Sequence, residues 1–311
     1  MTVLGPKEPL AGRYHLVECL DTGALGEVWR ARDDKLMRPV ALKLIRPEFA
    51  LNPEFRRAFG EEARAWAAVS HPGTAWVYDF GEQAPAGPDG SPVVYLVTEL
   101  VDGVSLQVLL DQEPLSSVVT MDLVAQAAST LHAAHQGGLV HGNVKPSNLL
   151  LRGDGVLKIT DFGMARAVGE VPLAEFHADL DRAAFCAPEQ LAGLPVTSGS
   201  DIYSLGIVAY LCLSGALPFA SDGPVAAAVE HVTEQPRPLP DAVPADVATF
   251  VCGLLAKDPS SRPGDAAAVA AEAVALCTRL GRRTTRPQRE LLGGERAGRA
   301  LLGSDPARLV S

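Results

Sequence analysis

Between residues 13 and 45 apolar and polar positions alternate in short runs. Tyr14–Leu20, Glu27–Ala31 and Pro39–Ile45 are rich in apolar and β-branched residues and are divided by Gly or Asp turns, which predicts three strands. Over 54–69 the period lengthens, and Phe55, Phe59, Glu62, Trp66 and Val69 fall on one helical stripe. Strand patterning returns at Thr74–Phe80 and Val93–Glu99, with the Pro-, Gly- and Ala-rich loop Gln83–Pro92 between them. From about Ser105 the pattern is mainly helical and includes Met121–Gln136, Ser200–Leu213 and Asp246–Ala256. One short hairpin interrupts it: Leu149–Leu151, the turn Gly153-Asp154-Gly155, and Val156–Ile159. The pattern thus predicts an α+β chain. A polar leader (1–12) precedes a small strand-rich lobe (13–100) with one main helix, a connecting stretch (99–104) and a larger helical lobe (105–278). Residues 279–311, rich in Arg and without period, read as a flexible tail.

Composition narrows the classes. The chain has 311 residues, 47% apolar and 21% charged, and is neither disordered nor fibrous in character. A net charge of −10 makes it a poor non-specific ligand for nucleic acid or anionic membrane. The tail is the exception, with seven arginines from Arg282 onward against Glu290, Glu295 and Asp305. Five cysteines are scattered singly, which argues against a disulfide framework or structural zinc. The N-terminus lacks a signal-peptide core, and no stretch approaches the ~20 uncharged apolar residues of a membrane span. The expectation is a soluble, cytoplasmic protein.

Two anomalies carry chemistry. Glu62 sits within the apolar stripe Phe55–Phe59–Trp66–Val69, where a carboxylate needs a cation. Lys43, one of only six lysines, ends the apolar strand Val40-Ala41-Leu42. Strand alternation puts Ala41 and Lys43 on one face, a small floor beside a cation, which suits a flat base with phosphates. A salt bridge without ligand is the alternative. The turn Asp21-Thr22-Gly23-Ala24-Leu25-Gly26-Glu27-Val28 has glycines that let N–H groups approach phosphates. No helix follows it, so it is not a dinucleotide fingerprint. His141-Gly142-Asn143-Val144-Lys145-Pro146-Ser147-Asn148 precedes the short hairpin and Asp161-Phe162-Gly163 follows it. Antiparallel pairing brings Asn148 and Asp161 to one end of two strands about 5 Å apart, which lets two oxygen ligands share a hard cation such as Mg²⁺.

At this point the sequence resembles the bacterial Hanks-type serine/threonine protein kinases, over about Gly12 to Leu280. Seven motifs stand in family order: Val40–Lys43, Glu62, 141–148, Asp161–Gly163, Ala187-Pro188-Glu189, 200–206 and 255–263. The resemblance implies a two-lobed protein kinase fold with an antiparallel-sheet N-lobe and a helical C-lobe. It implies that Lys43 holds the α- and β-phosphates of ATP and pairs with Glu62. Gly23 and Gly26 would border the phosphates, Lys145 would approach the γ-phosphate, and Asn148 and Asp161 would bind Mg²⁺. Val28, Ala41 and Leu150 would sandwich the adenine, the backbone of Glu99 and Val101 would bond its edge, and Thr98 would be the gatekeeper. Glu189 would pair with Arg262, and Asp201 would brace the catalytic loop.

Four departures matter. Asn143 replaces the family's catalytic aspartate; it accepts a hydrogen bond but takes no proton. Gly142 replaces an arginine that grips a phosphate on the activation segment, and it is expected to loosen the loop. Between Gly163 and Ala187 there is no Ser, Thr or Tyr to carry such a phosphate, and the family's threonine position falls near Arg182. Asp21 replaces the first glycine of the phosphate loop, where a carboxylate would weaken ATP binding unless it faces solvent. Thr284 and Thr285, among tail arginines, are the alternative phosphate acceptors. The expectation is an ATP–Mg²⁺-binding pseudokinase acting on a protein partner. A low-activity kinase that tolerates Asn143 and a nucleotide-free scaffold are the alternatives.

Overall fold

The structure is a computed structural model, described for residues 9–84, 91–163, 183–219 and 224–281. Its first lobe is a five-stranded antiparallel sheet of β1 (Tyr14–Thr22), β2 (Gly26–Asp33), β3 (Arg38–Ile45), β4 (Val77–Gln83) and β5 (Val93–Thr98), in the order β1-β2-β3-β5-β4. The short α1 (Pro47–Ala50) and the main helix α2 (Pro53–Ala68) lie between β3 and β4 in the chain. Asn52 sets the start of α2 by accepting the Glu54 and Phe55 N–H groups at 2.9 and 3.3 Å, satisfying donors that no helical carbonyl reaches.

The alternation read in β3 holds. Val40 and Leu42 are buried in a small cluster with Leu10, Tyr14, Ala31, Tyr95 and Val97, and Ala41 and Lys43 take the other face. The opposite side of the sheet joins a continuous core. Phe55, Phe59 and Trp66 of α2 and Val94 and Leu96 of β5 run on into Leu131, Leu149, Ile159 and Phe162 of the second lobe.

That lobe opens with β6 (Gly103–Ser105) and α3 (Leu106–Leu110), followed by α4 (Ser117–Gln136). A 3₁₀ turn at Pro146–Asn148 leads into β7 (Leu149–Arg152) and β8 (Leu157–Ile159), which with β6 form a three-stranded sheet. Then come α5 (Pro188–Leu191), α6 (Ser198–Ser214), α7 (Pro224–Thr233), α8 (Ala245–Leu254) and α9 (Ala266–Gly281).

Several bounds differ from the pattern reading. The strand expected at Thr74–Phe80 starts at Val77, because residues 73–75 bond β8 instead: Ile159 N–H donates to Gly73 O at 2.7 Å and Ala75 N–H to Ile159 O at 3.0 Å. Helix α4 begins four residues before Met121, capped by Ser116. Helix α9 is not singled out in the reading, although Ala266, Val269, Ala273, Leu276 and Leu280 recur at helical spacing and are buried. Leu10 and Leu280 are both buried, so the packed body reaches beyond 13–278 on each side. No described helix is long and apolar enough to cross a membrane.

Candidate functional site

The residues expected to sandwich the adenine lie on the sheets of both lobes. Val28 stands opposite Lys43 across β2 and β3, and Ala41 stands opposite Thr98 across β3 and β5. Leu150 pairs with Ser105 across β7 and β6. Val28, Ala41 and Leu150 are each half-buried, as are Thr98, Glu99 and Val101. The Glu99 N–H donates to Trp76 O at 2.8 Å, and among the described residues the Val101 N–H donates to nothing.

The antiparallel argument for Asn148 and Asp161 holds. Leu149 pairs with Ile159, and Thr160 N–H donates to Asn148 O at 3.0 Å, so both side chains lie at one end of the hairpin. Asn148 Nδ2 donates to Asn143 O at 2.9 Å, which leaves its Oδ1 as the acceptor toward the cleft end.

One expectation is corrected. Lys43 does not pair with Glu62; its Nζ donates to Asp161 Oδ2 at 2.7 Å. Asp161 and Gly163 adopt left-handed φ of 62° and 71°. The Glu62 carboxylate lies against Gly163, where a Cβ would overlap it. Burial pushes the Asp161 carboxyl upward, but the Lys43 ammonium, with His141 and Lys145 nearby, outweighs it and holds the group below its ordinary value.

The loop around Asn143 is tightly braced. Asp201, fully buried in α6, accepts the His141 N–H at 2.8 Å and the Gly142 N–H at 2.7 Å. His135 Nε2 also meets it at 2.8 Å. His141 Nε2 lies 2.8 Å from Thr160 O, and its Nδ1 accepts the Asn143 N–H at 3.1 Å. Burial pulls the His141 pKa down, and the two contacts suit a neutral ring protonated on Nε2. Its ring lies 4.8 Å from that of Phe162, which in turn lies 5.8 Å from Trp66, so aromatic contacts link α2 to the loop.

Gly142 is held on both sides in this loop. It is buried, its N–H and C=O are both bonded, the latter by Gln190 Nε2 at 3.0 Å, and its φ is +70°. Glycine occupies that region without the penalty other L-residues meet.

The phosphate loop holds a second difference. Gly23 and Gly26 bond each other's carbonyls, at 2.9 and 3.3 Å, so both N–H groups are spent within the turn. Leu25 at its tip is buried, with its carbonyl on the Arg46 N–H at 2.9 Å, and Arg46 Nη2 donates to Gly23 O at 3.0 Å. Gly26 is obligatory, because a Cβ there would collide with the Leu44 carbonyl. Asp21 is exposed and accepts the Thr22 N–H at 2.8 Å, a local turn contact.

The scaffold pair forms as expected. Arg262 grips Glu189 with two bonds of 2.7 and 2.8 Å, and Ser200 Oγ adds a third at 2.7 Å. Burial raises the Glu189 pKa, but Arg262 and Ser200 overcome this and hold it low. Arg182, Thr284 and Thr285 lie outside the described residues.

Pattern reading missed Lys158, Gln190 and His135. Lys158 alone carried a visible signal, a lone lysine in an apolar strand like that which marked Lys43. Gln190 and His135 are ordinary polar residues until the fold brings them to the loop.

Comparison with known proteins agrees with this geometry. Residues 14–274 match the protein kinase domain family. The chain is 40% identical over 303 residues to the serine/threonine-protein kinase PknA of Mycobacterium tuberculosis, covering 97% of this chain and 69% of that one. It is 39% identical over 273 residues to PknB of the same species, covering 85% of this chain and 43% of PknB, so it spans less than half that relative's length. The crystal structure of the M. tuberculosis PknI kinase domain superposes with a TM-score of 0.68 at 27% identity, covering 88% of this chain and 100% of that one. The chain belongs to the protein kinase domain family, among the bacterial Hanks-type serine/threonine kinases.

Proposed function

We propose that this domain is a nucleotide-binding pseudokinase, which takes ATP–Mg²⁺ between its lobes and acts through its conformation as a regulatory or scaffolding partner of another protein. One observation carries the reading. Asn143 stands in the braced loop where the family has its catalytic aspartate, with Asn148, Asp161 and Lys43 all gathered beside it. A carboxamide accepts a hydrogen bond from an acceptor hydroxyl but takes no proton at neutral pH. Loss of general-base help costs roughly 10²–10⁴-fold, or about 3–5 kcal/mol of barrier.

The residues present fit the nucleotide and its metal. Asp161, held ionised, and the Asn148 Oδ1 are hard oxygen donors of the kind Mg²⁺ takes. A metal ion there would offset phosphate charge and align the transferring group. Lys43 would turn its ammonium from Asp161 toward the α- and β-phosphates, and Lys145 would face the γ-phosphate. The unspent Val101 N–H and the Glu99 carbonyl would meet the adenine edge, between Val28 and Ala41 above and Leu150 below. The exposed, locally bonded Asp21 poses no obstacle.

A weakly active serine/threonine kinase is the second reading, favoured by the same intact set, since positioning and metal ions supply much of the catalysis in phosphoryl transfer. Transfer of labelled γ-phosphate to generic protein substrates with Mg²⁺ or Mn²⁺ separates the two. The wild type is expected at the background of Lys43→Met, and Asn143→Asp is expected to raise transfer by roughly 10²-fold or more with ATP affinity unchanged. A wild type as fast as Asn143→Asp, with both abolished by Lys43→Met, establishes the weak kinase instead. Absence of ATP binding by the wild type leaves the scaffold.

A further inference from the structure

Lys158 is the one buried lysine among the described residues, and neither phosphate nor metal chemistry uses it. It stands in the middle of β8, three positions before Asp161. An ammonium there is costly unless paired, and its partners are specific. Nζ donates to Glu99 Oε2 at 2.9 Å and to Thr74 O at 3.2 Å, and lies 6.0 Å from the centre of the Trp76 ring. The same Glu99 oxygen accepts the Trp76 N–H at 3.3 Å, and the Glu99 N–H donates to Trp76 O at 2.8 Å. Glu99 is therefore gripped through side chain and main chain together. The strand that grips it is fixed independently, through Leu149 on one side and Gly73 and Ala75 on the other.

Resting on the nucleotide reading above, we infer that Lys158 is a positioning residue for adenine recognition. Its ion pair with Glu99 sets where the Glu99 carbonyl stands, and with it the preference for a 6-amino purine. The 6-amino group of adenine donates to a carbonyl, whereas guanine presents an oxygen there that a carbonyl rejects. Hydrogen bonds keep their strength only over a few tenths of an ångström, so a carbonyl released from its anchor discriminates less. Lys158 touches no nucleotide and acts only through Glu99.

The test is titration calorimetry of the whole chain with ATP–Mg²⁺, GTP–Mg²⁺ and tripolyphosphate–Mg²⁺. The variants are Lys158→Met, Lys158→Arg, and Lys158→Met combined with Glu99→Leu. The double variant leaves no charge buried alone and so guards against simple misfolding. In Lys158→Met, ATP affinity and the ATP-over-GTP preference should each fall about tenfold, the worth of one hydrogen bond, with tripolyphosphate affinity within about twofold of wild type. The double variant should show the same loss of preference, and Lys158→Arg should retain most of it. Equal loss for all three ligands in Lys158→Met, or an unchanged ATP-over-GTP ratio in the double variant, overturns this inference and leaves the nucleotide reading standing. A wild type that binds no ATP overturns both.

Discussion

At residue 142 the chain carries glycine where the family has arginine, in a backbone conformation that favours glycine. Its φ of +70° is one that an L-side chain adopts at a penalty of roughly 1–2 kcal/mol. The family's arginine would meet that penalty, and the interval from Gly163 to Ala187 holds no hydroxyl whose phosphate could offset it. Gly142→Arg is therefore expected to lower stability by about 1–2 kcal/mol, read as a reduced denaturant midpoint with unchanged slope. An unchanged midpoint counts against the strain. Added to Asn143→Asp, the arginine should bring no further gain in transfer. The chemistry at single residues was legible where a residue broke its local pattern: Lys43 in an apolar strand, Glu62 in an apolar stripe, Asn143 in a known motif. The direction of pairing was not. Lys43 bonds Asp161, 118 positions along the chain, and local pattern carries no signal for a contact of that separation.

At the scale of elements, strands and helices with a strong period were readable and the rest were not. Thr74 and Ala75 look like strand, yet this stretch bonds β8 through an isolated bridge, because pairing is decided across the fold rather than along the chain. The same holds for α7, whose place depends on buried polar contacts. His231, near its end, is almost fully buried, with Nδ1 at 3.2 Å from the Tyr203 hydroxyl and its ring 4.6 Å from Phe219. The Lys257 ammonium caps the helix by donating to His231 O at 2.7 Å, favourable at a helix C-terminus. Burial, reinforced by Lys257, lowers the His231 pKa to about 4. The folded state thus resists protonation that the unfolded chain accepts at about pH 6.5. Between those values the unfolded chain binds more protons, so stability falls as pH drops from about 6.5 to about 4, by on the order of 3 kcal/mol. Urea unfolding of wild type and His231→Gln across that window measures it. The variant should show a shallower decline, and parallel curves would refute the assignment.

Across the whole molecule, the two lobes are joined by more than the connecting stretch. One core runs from α2 through Phe162 into the helical lobe, and Lys158 ties β8 to Glu99. The buried Glu189–Arg262 pair binds α5 to the loop after α8, so the segment next to the catalytic loop is held by the body of the fold. The brace from Asp201 carries a kinetic meaning. Its two acceptors hold the amides of His141 and Gly142 against a buried carboxylate at the centre of the protein. Those two protons can leave only when α6 parts from the loop, which amounts to unfolding the helical lobe. In native-state hydrogen exchange they should therefore belong to the slowest class, with an opening free energy equal to that of global unfolding and a denaturant dependence to match. The loop would be set once, when the chain folds, and would keep its shape for as long as the molecule keeps its own.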